Sequence, residues 1–73
     1  MPCVNPDGKP TDSGINMLRA VQSGKQTADD IAVATGMPMY RVRSGLRELV
    51  DAGFLLRGDD DVVSLSDQGE ALV

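Results

Sequence analysis

Residues 27–49, TADDIAVATGMPMYRVRSGLREL, decide the fold, because they read as two short helices joined by a tight turn. Thr27 suits the N-cap of the first, and Asp30 stands where a carboxylate reaches back to the cap and complements the helix dipole. Ile31 and Ala34 fall on its buried side, and Ala28 and Ala32 permit close approach of a neighbour. Gly36 is the residue expected to end it in the left-handed conformation, with Met37 plugging the turn. Pro38 then opens the second helix at a position where an N–H is not needed.

That second helix is expected from about Met39 to Ala52. At 100° per residue, Val42, Leu46, Leu49 and Val50 share one apolar sector, as a core-facing helix requires. Tyr40, Arg43, Ser44 and Arg47 follow the spacing i, i+3, i+4, i+7 and share the face directed away from the core, with Arg41 and Glu48 beside it. Gly45 lowers helix propensity by about 0.8–1 kcal/mol relative to Ala, which implies close backbone contact there, expected with the preceding helix.

Working outward, Asp12 or Ser13 is positioned to cap an earlier helix whose apolar stripe is Ile15, Leu18 and Val21, with Met17 nearby and Ser23-Gly24 at its end. Lys25 and Gln26 leave room for a short bridge or a single ladder pair. Residues 1–11 hold Pro2, Pro6 and Pro10 with Asn, Asp and Gly and no apolar period, so they read as a flexible N-terminal arm preceding a domain over 12–73. Beyond Gly53, Phe54–Arg57 and Val62–Leu65 are β-prone and flank Gly58-Asp59-Asp60-Asp61, which makes a hairpin. Ser66 onward begins like a capped helix of one or two turns. The expected class is mainly α with a small β-hairpin.

Seventy-three residues allow one domain, and Phe54 and Tyr40 are the only aromatics, so the core must be aliphatic. A dimer contact would supply stability that so small a core lacks. Cys3 is the single cysteine and histidine is absent, which excludes a disulfide framework, the usual zinc-ligand sets and a Ser/His/Asp triad. No Gly-rich phosphate loop occurs, so no enzyme and no cofactor are expected. The N-terminus lacks the pattern of a secretory leader and no window approaches a spanning helix, so a cytoplasmic protein without membrane attachment is expected. The Asp run is expected as a solvated turn; no EF-hand pattern surrounds it, and no metal site is expected.

Net charge is −4 and the isoelectric point about 4.4, which argues against a polyanionic partner. The distribution argues the other way. From Met39 to Gly58 four arginines face only Glu48 and Asp51, a local charge of +2.

Helix, helix, Gly-turn, helix, then Gly-Phe-Leu, a hairpin and Leu-Ser-Asp-Gln-Gly-Glu-Ala-Leu together resemble the winged helix-turn-helix superfamily of transcriptional regulators. The resemblance rests on Ala28, Ile31, Ala32, Gly36, Val42, Leu46 and Leu49, on Gly53 and Leu55, and on Leu65-Ser66 with Gly69, an ending similar to that of MarR-like and PadR-like regulators. It implies a three-helix core plus wing and a short C-terminal helix, double-stranded DNA as partner, and the third helix in the major groove. By that resemblance Tyr40, Arg43 and Ser44, with Met39 beside them, are the base-facing candidates, and Arg41, Arg47 and Arg57 the phosphate candidates. Gln26 and Thr27, at the start of the second helix, would offer N–H groups to a phosphate.

Two features depart from the superfamily pattern. Asp59, Asp60 and Asp61 put negative charge at the wing tip, and no long dimerisation helix is present, so a homodimer would use the first helix, the N-terminal arm or the last helix. The alternative to a small DNA-binding regulator is therefore a winged-helix module that binds a protein partner and not DNA. At the level of the single helix, the arginine face also suits a solvated surface with Arg47 paired to Asp51.

Overall fold

The structure, a computed structural model, describes residues 2–73; Met1 lies outside the described residues. The chain forms α1 (Asp12–Gln22), α2 (Ala28–Thr35), α3 (Met39–Asp51), β1 (Leu55–Arg57), β2 (Val63–Leu65) and α4 (Asp67–Glu70), with a single 3₁₀ turn, Asp59–Asp61, between the strands. This is a winged helix-turn-helix fold: three helices, a two-stranded antiparallel wing and one closing turn of helix.

Local chemistry sets each boundary. Thr11, and not Asp12 or Ser13, caps α1, its Oγ1 accepting from Gly14 N at 3.2 Å. Thr27 caps α2 as its sequence suggests, accepting from Asp30 N at 3.2 Å. At the helix-turn-helix turn Gly36 takes φ 73° and its N–H reaches Ala32 O, while Met37 N donates to Thr35 Oγ1 at 3.3 Å. The end of α3 is closed by Gly53 N to Val50 O and Phe54 N to Leu49 O, the paired bonds of a Schellman motif, which turn the chain into the wing. The strands pair Leu55 with Leu65, Leu56 with Ser64 and Arg57 with Val63. The segment before α2 makes one backbone hydrogen bond to β2, Val63 N to Gln26 O at 2.8 Å, without a ladder pair.

The core lies between the three helices and the inner face of the wing. Met17, Leu18, Ile31, Val42, Leu49, Leu55 and Val63 are almost wholly buried, with Val21 and Leu46 beside them, so the interior is aliphatic and sulfur-containing. Ile15 is only half-buried, and Ala34, expected inside, is exposed because α2 is short and turns only the Ile31 side inward.

The buried stripes of α1 and α3 each contain a glycine at the i, i+3, i+4, i+7 spacing: Gly14, Met17, Leu18, Val21 on one, Val42, Gly45, Leu46, Leu49 on the other. Both glycines leave a depression, and Cys3 fills both. A Cβ on Gly14 would collide with the Cys3 carbonyl oxygen, and one on Gly45 would stand 2.5 Å from Cys3 Sγ and 2.8 Å from Met17 Sδ. Gly45 therefore admits the N-terminal segment and α1, where contact with α2 was expected.

Residues 2–11, expected as an arm outside the domain, pack onto it instead. Cys3 is 2% exposed, its Sγ lies 3.6 Å from Met17 Sδ, its N–H donates to Glu48 Oε2 at 3.2 Å, and its carbonyl accepts from Thr11 N at 2.9 Å. The prolines close a small loop through a bridge between Val4 and Pro10 and a bond from Asn5 N to Lys9 O. Burial first, then the Glu48 carboxylate, pushes the Cys3 thiol pKa above its ordinary value, with Arg41 pulling partly the other way.

Two predictions follow from this packing. Gly14→Ala gains about 1 kcal/mol of helix propensity yet is expected to destabilise the protein by about 1–3 kcal/mol through overpacking against Cys3, read as a lower urea midpoint. The raised Cys3 pKa favours the neutral thiol in the folded state, so its contribution is present below the ordinary thiol pKa and is lost as pH rises through the folded value. Urea unfolding across the alkaline range is expected to show a steeper loss of stability in the wild type than in Cys3→Ala; parallel curves would refute the link.

Candidate nucleic-acid interface

The outward face of α3 is as its spacing requires. Tyr40 is 74% exposed, and Arg43, Ser44 and Arg47 are exposed with it. Arg41 and Met39 are half-buried at the beginning of the helix. Pro38 precedes α3 without a side-chain cap, and no acidic residue occupies its first turn.

These side chains divide between two hollows. An open groove of about 490 Å³ runs between the start of α2, the middle of α3 and the wing, bringing together Thr27, Arg43, Arg47 and Arg57. A smaller hollow of about 230 Å³ on the adjoining flank of α3 is lined by Tyr40, Arg41, Ser44 and Glu48. Glu48 is also the carboxylate that accepts from Cys3 N, so the N-terminal segment braces the wall of this second hollow.

Two candidates fare differently from the rest. Gln26 is exposed and lines a third cleft with Val21, Ser64 and Glu70, away from the arginines, while its carbonyl is bound to Val63 N. Thr27 lies in the arginine groove, yet its hydroxyl is occupied as the cap of α2, and Asp29 and Asp30 in the first turn oppose an anion there. The start of α3, with no acid in its first turn and Arg41 close by, is electrostatically the more favourable helix end for an anion.

The aspartates are the feature that the spacing of the arginines did not reveal. Asp60 and Asp61 both adopt left-handed backbone, φ 58° and 59°, and line the same groove as Arg43, Arg47 and Arg57, with Asp29 on the α2 side. Three arginines thus share a groove with three aspartates. Asp tolerates this backbone better than most residues, since its short polar side chain bonds locally. A run of Asp after Gly58 signals a turn, but nothing in it specifies the side of the wing on which the carboxylates emerge. Among the described residues no three His, Cys, Asp or Glu side chains are grouped to hold a metal ion, and no helix is long and apolar enough to cross a membrane.

No family model and no curated protein matches the chain. Among solved structures it is similar to an O-methyltransferase (NcsB1) from neocarzinostatin biosynthesis, crystallised with S-adenosyl-L-homocysteine: 30% identity over 82% of this chain, with a TM-score of 0.74. The same enzyme with S-adenosylmethionine and 2-hydroxy-5-methyl naphthoic acid matches with the same identity and TM-score. The chain spans about a fifth of the methyltransferase chains, 20% and 18% respectively. The arrangement of helices and wing found here therefore also occurs as one part of a larger enzyme chain.

Proposed function

We propose that this domain binds double-stranded DNA in a sequence-directed way, as a small cytoplasmic transcriptional regulator acting as a homodimer, with α3 in the major groove. The observation that carries the reading is the exposed face Tyr40, Arg43, Ser44, Arg47 on the third helix of a helix-turn-helix, where Arg43 and Arg47 are joined in one groove by Arg57 of the wing. Tyr40 and Ser44 meet base edges through hydroxyls, with Met39 at the helix start, while Arg43 is suited to the paired acceptors of guanine. Arg41, Arg47 and Arg57 bind phosphates and set the register. The domain acts as a binding module and not as a catalyst: the groups gathered in the groove are guanidinium and carboxylate, and no histidine stands by to move a proton.

A second reading, a winged-helix module for a protein partner, is favoured by the aspartates within the arginine groove and by the likeness to a segment of an enzyme chain. The two readings separate in solution. Titrating a mixed-sequence duplex at several salt concentrations is expected to give a log–log slope of roughly −3 to −5, the signature of about three to five phosphate contacts. Arg43→Ala/Arg47→Ala is expected to flatten that slope by about 1, from the phosphate contact of Arg47, and to abolish most of the low-salt affinity. Absence of binding at low salt in both the wild type and a variant with the wing-tip carboxylates neutralised would leave the protein-partner reading standing.

A further inference from the structure

The groove beside α3 is unusual for a surface meant to hold phosphate, because its three guanidinium groups share it with three carboxylates. The wing-tip carboxylates come from a structured turn: Gly58 N donates to Val62 O at 2.7 Å, Val62 N donates to Asp59 O at 3.2 Å, and Asp60 and Asp61 both hold positive φ. By contrast, the hollow holding Tyr40 and Ser44 lies apart from the groove and contains neither wing-tip residue. Arg47 and Arg57, suited to phosphates, thus share their groove with the wing-tip carboxylates, as does Arg43, while Tyr40 and Ser44 stand beside Arg41 and Glu48.

We infer that Asp60 and Asp61 are specificity-determining residues, built-in counter-charges for the phosphate-directed Arg47 and Arg57 that suppress sequence-independent attachment to the DNA backbone. This rests on the DNA-binding reading above. Non-specific affinity comes almost wholly from phosphate neutralisation, so carboxylates in the phosphate track reduce it directly. Base-edge contacts made by Tyr40 and Ser44, outside that groove, are spared, and the ratio of specific to non-specific binding rises. The wing acts by repelling the backbone from loosely docked arrangements and not by entering a groove of the duplex.

The test is fluorescence anisotropy with a mixed-sequence duplex, comparing the wild type, Asp60→Asn/Asp61→Asn and a charge-matched control, Asp12→Asn/Asp67→Asn, whose carboxylates lie outside the groove. Asn tolerates the left-handed backbone as Asp does, so the tip is expected to keep its shape, and thermal melting checks this. The wing-tip variant is expected to bind roughly tenfold tighter than the wild type at low salt, with the gain shrinking as the screening length falls below about 10 Å above 0.1 M. The control is expected to change affinity by less than about threefold, because neither carboxylate lines the groove and exposed charges outside it are more strongly screened.

Binding by the wing-tip variant alone, with a silent wild type, supports the inference. Equal gains in both variants would assign the effect to net charge and overturn it. Wild-type binding that the wing-tip substitutions leave unchanged overturns it while leaving the DNA reading intact, and no binding by any of the three proteins overturns both.

Discussion

Two glycines in the buried stripes of neighbouring helices, the first position of the stripe on α1 and the second on α3, determine how the domain is assembled. Gly14 and Gly45 leave matching depressions, and Cys3 fits into both, with Met17 Sδ completing the contact. A core with so little aromatic volume depends on close approach of backbones, since dispersion is lost rapidly across even a small gap. Gly45 lowers the intrinsic helix propensity of α3, and the closer contact with Cys3 and Met17 offsets it. The same contact ties Glu48 to the N-terminal segment, so that the packing of residues 2–11 bears directly on the inner wall of the hollow beside Tyr40.

From this junction the rest of the fold follows by short-range closures. The Schellman bonds at Gly53 and Phe54 direct the chain into the wing. Ser66 then joins three segments: its hydroxyl donates to Gly53 O at 2.5 Å and accepts from Gly69 N, and its own N–H donates to Phe54 O. Gly69 is held so tightly against the Phe54 carbonyl that a Cβ there would collide with it. The wing is therefore anchored at its base to the end of α3 and to α4, and its orientation relative to the helix is set there.

Much of this was legible in the sequence because it depends on local rules. The caps at Thr27 and Ser66, the αL residue Gly36, the stripe Val42, Leu46, Leu49 and the outward face Tyr40, Arg43, Ser44, Arg47 each follow from residue type and spacing alone. What was not legible is non-local. No period marks Cys3 as a core residue, because its partners are 11 and 42 positions away at Gly14 and Gly45, and Pro-rich composition around it resembles that of a loose arm. The emergence of Asp60 and Asp61 beside Arg43 and Arg47 likewise depends on two consecutive left-handed residues and on the sense in which the hairpin folds over α3. The exposed row of side chains on one helix was thus legible from spacing, and the second, acidic wall of the groove was not.

The closed turn at the wing tip has a consequence for how such a domain diversifies. Residues 59–61 are exposed and make no contribution to the buried core, while the strands behind them are secured by their own pairing and by the base at Phe54 and Ser66. Three positions can therefore change sign or size while the scaffold stays the same, which makes the tip a separable dial on the charge of the groove. A chain carrying this fold can shift the charge of that groove by substitutions in a single turn, without rebuilding the helix beside it.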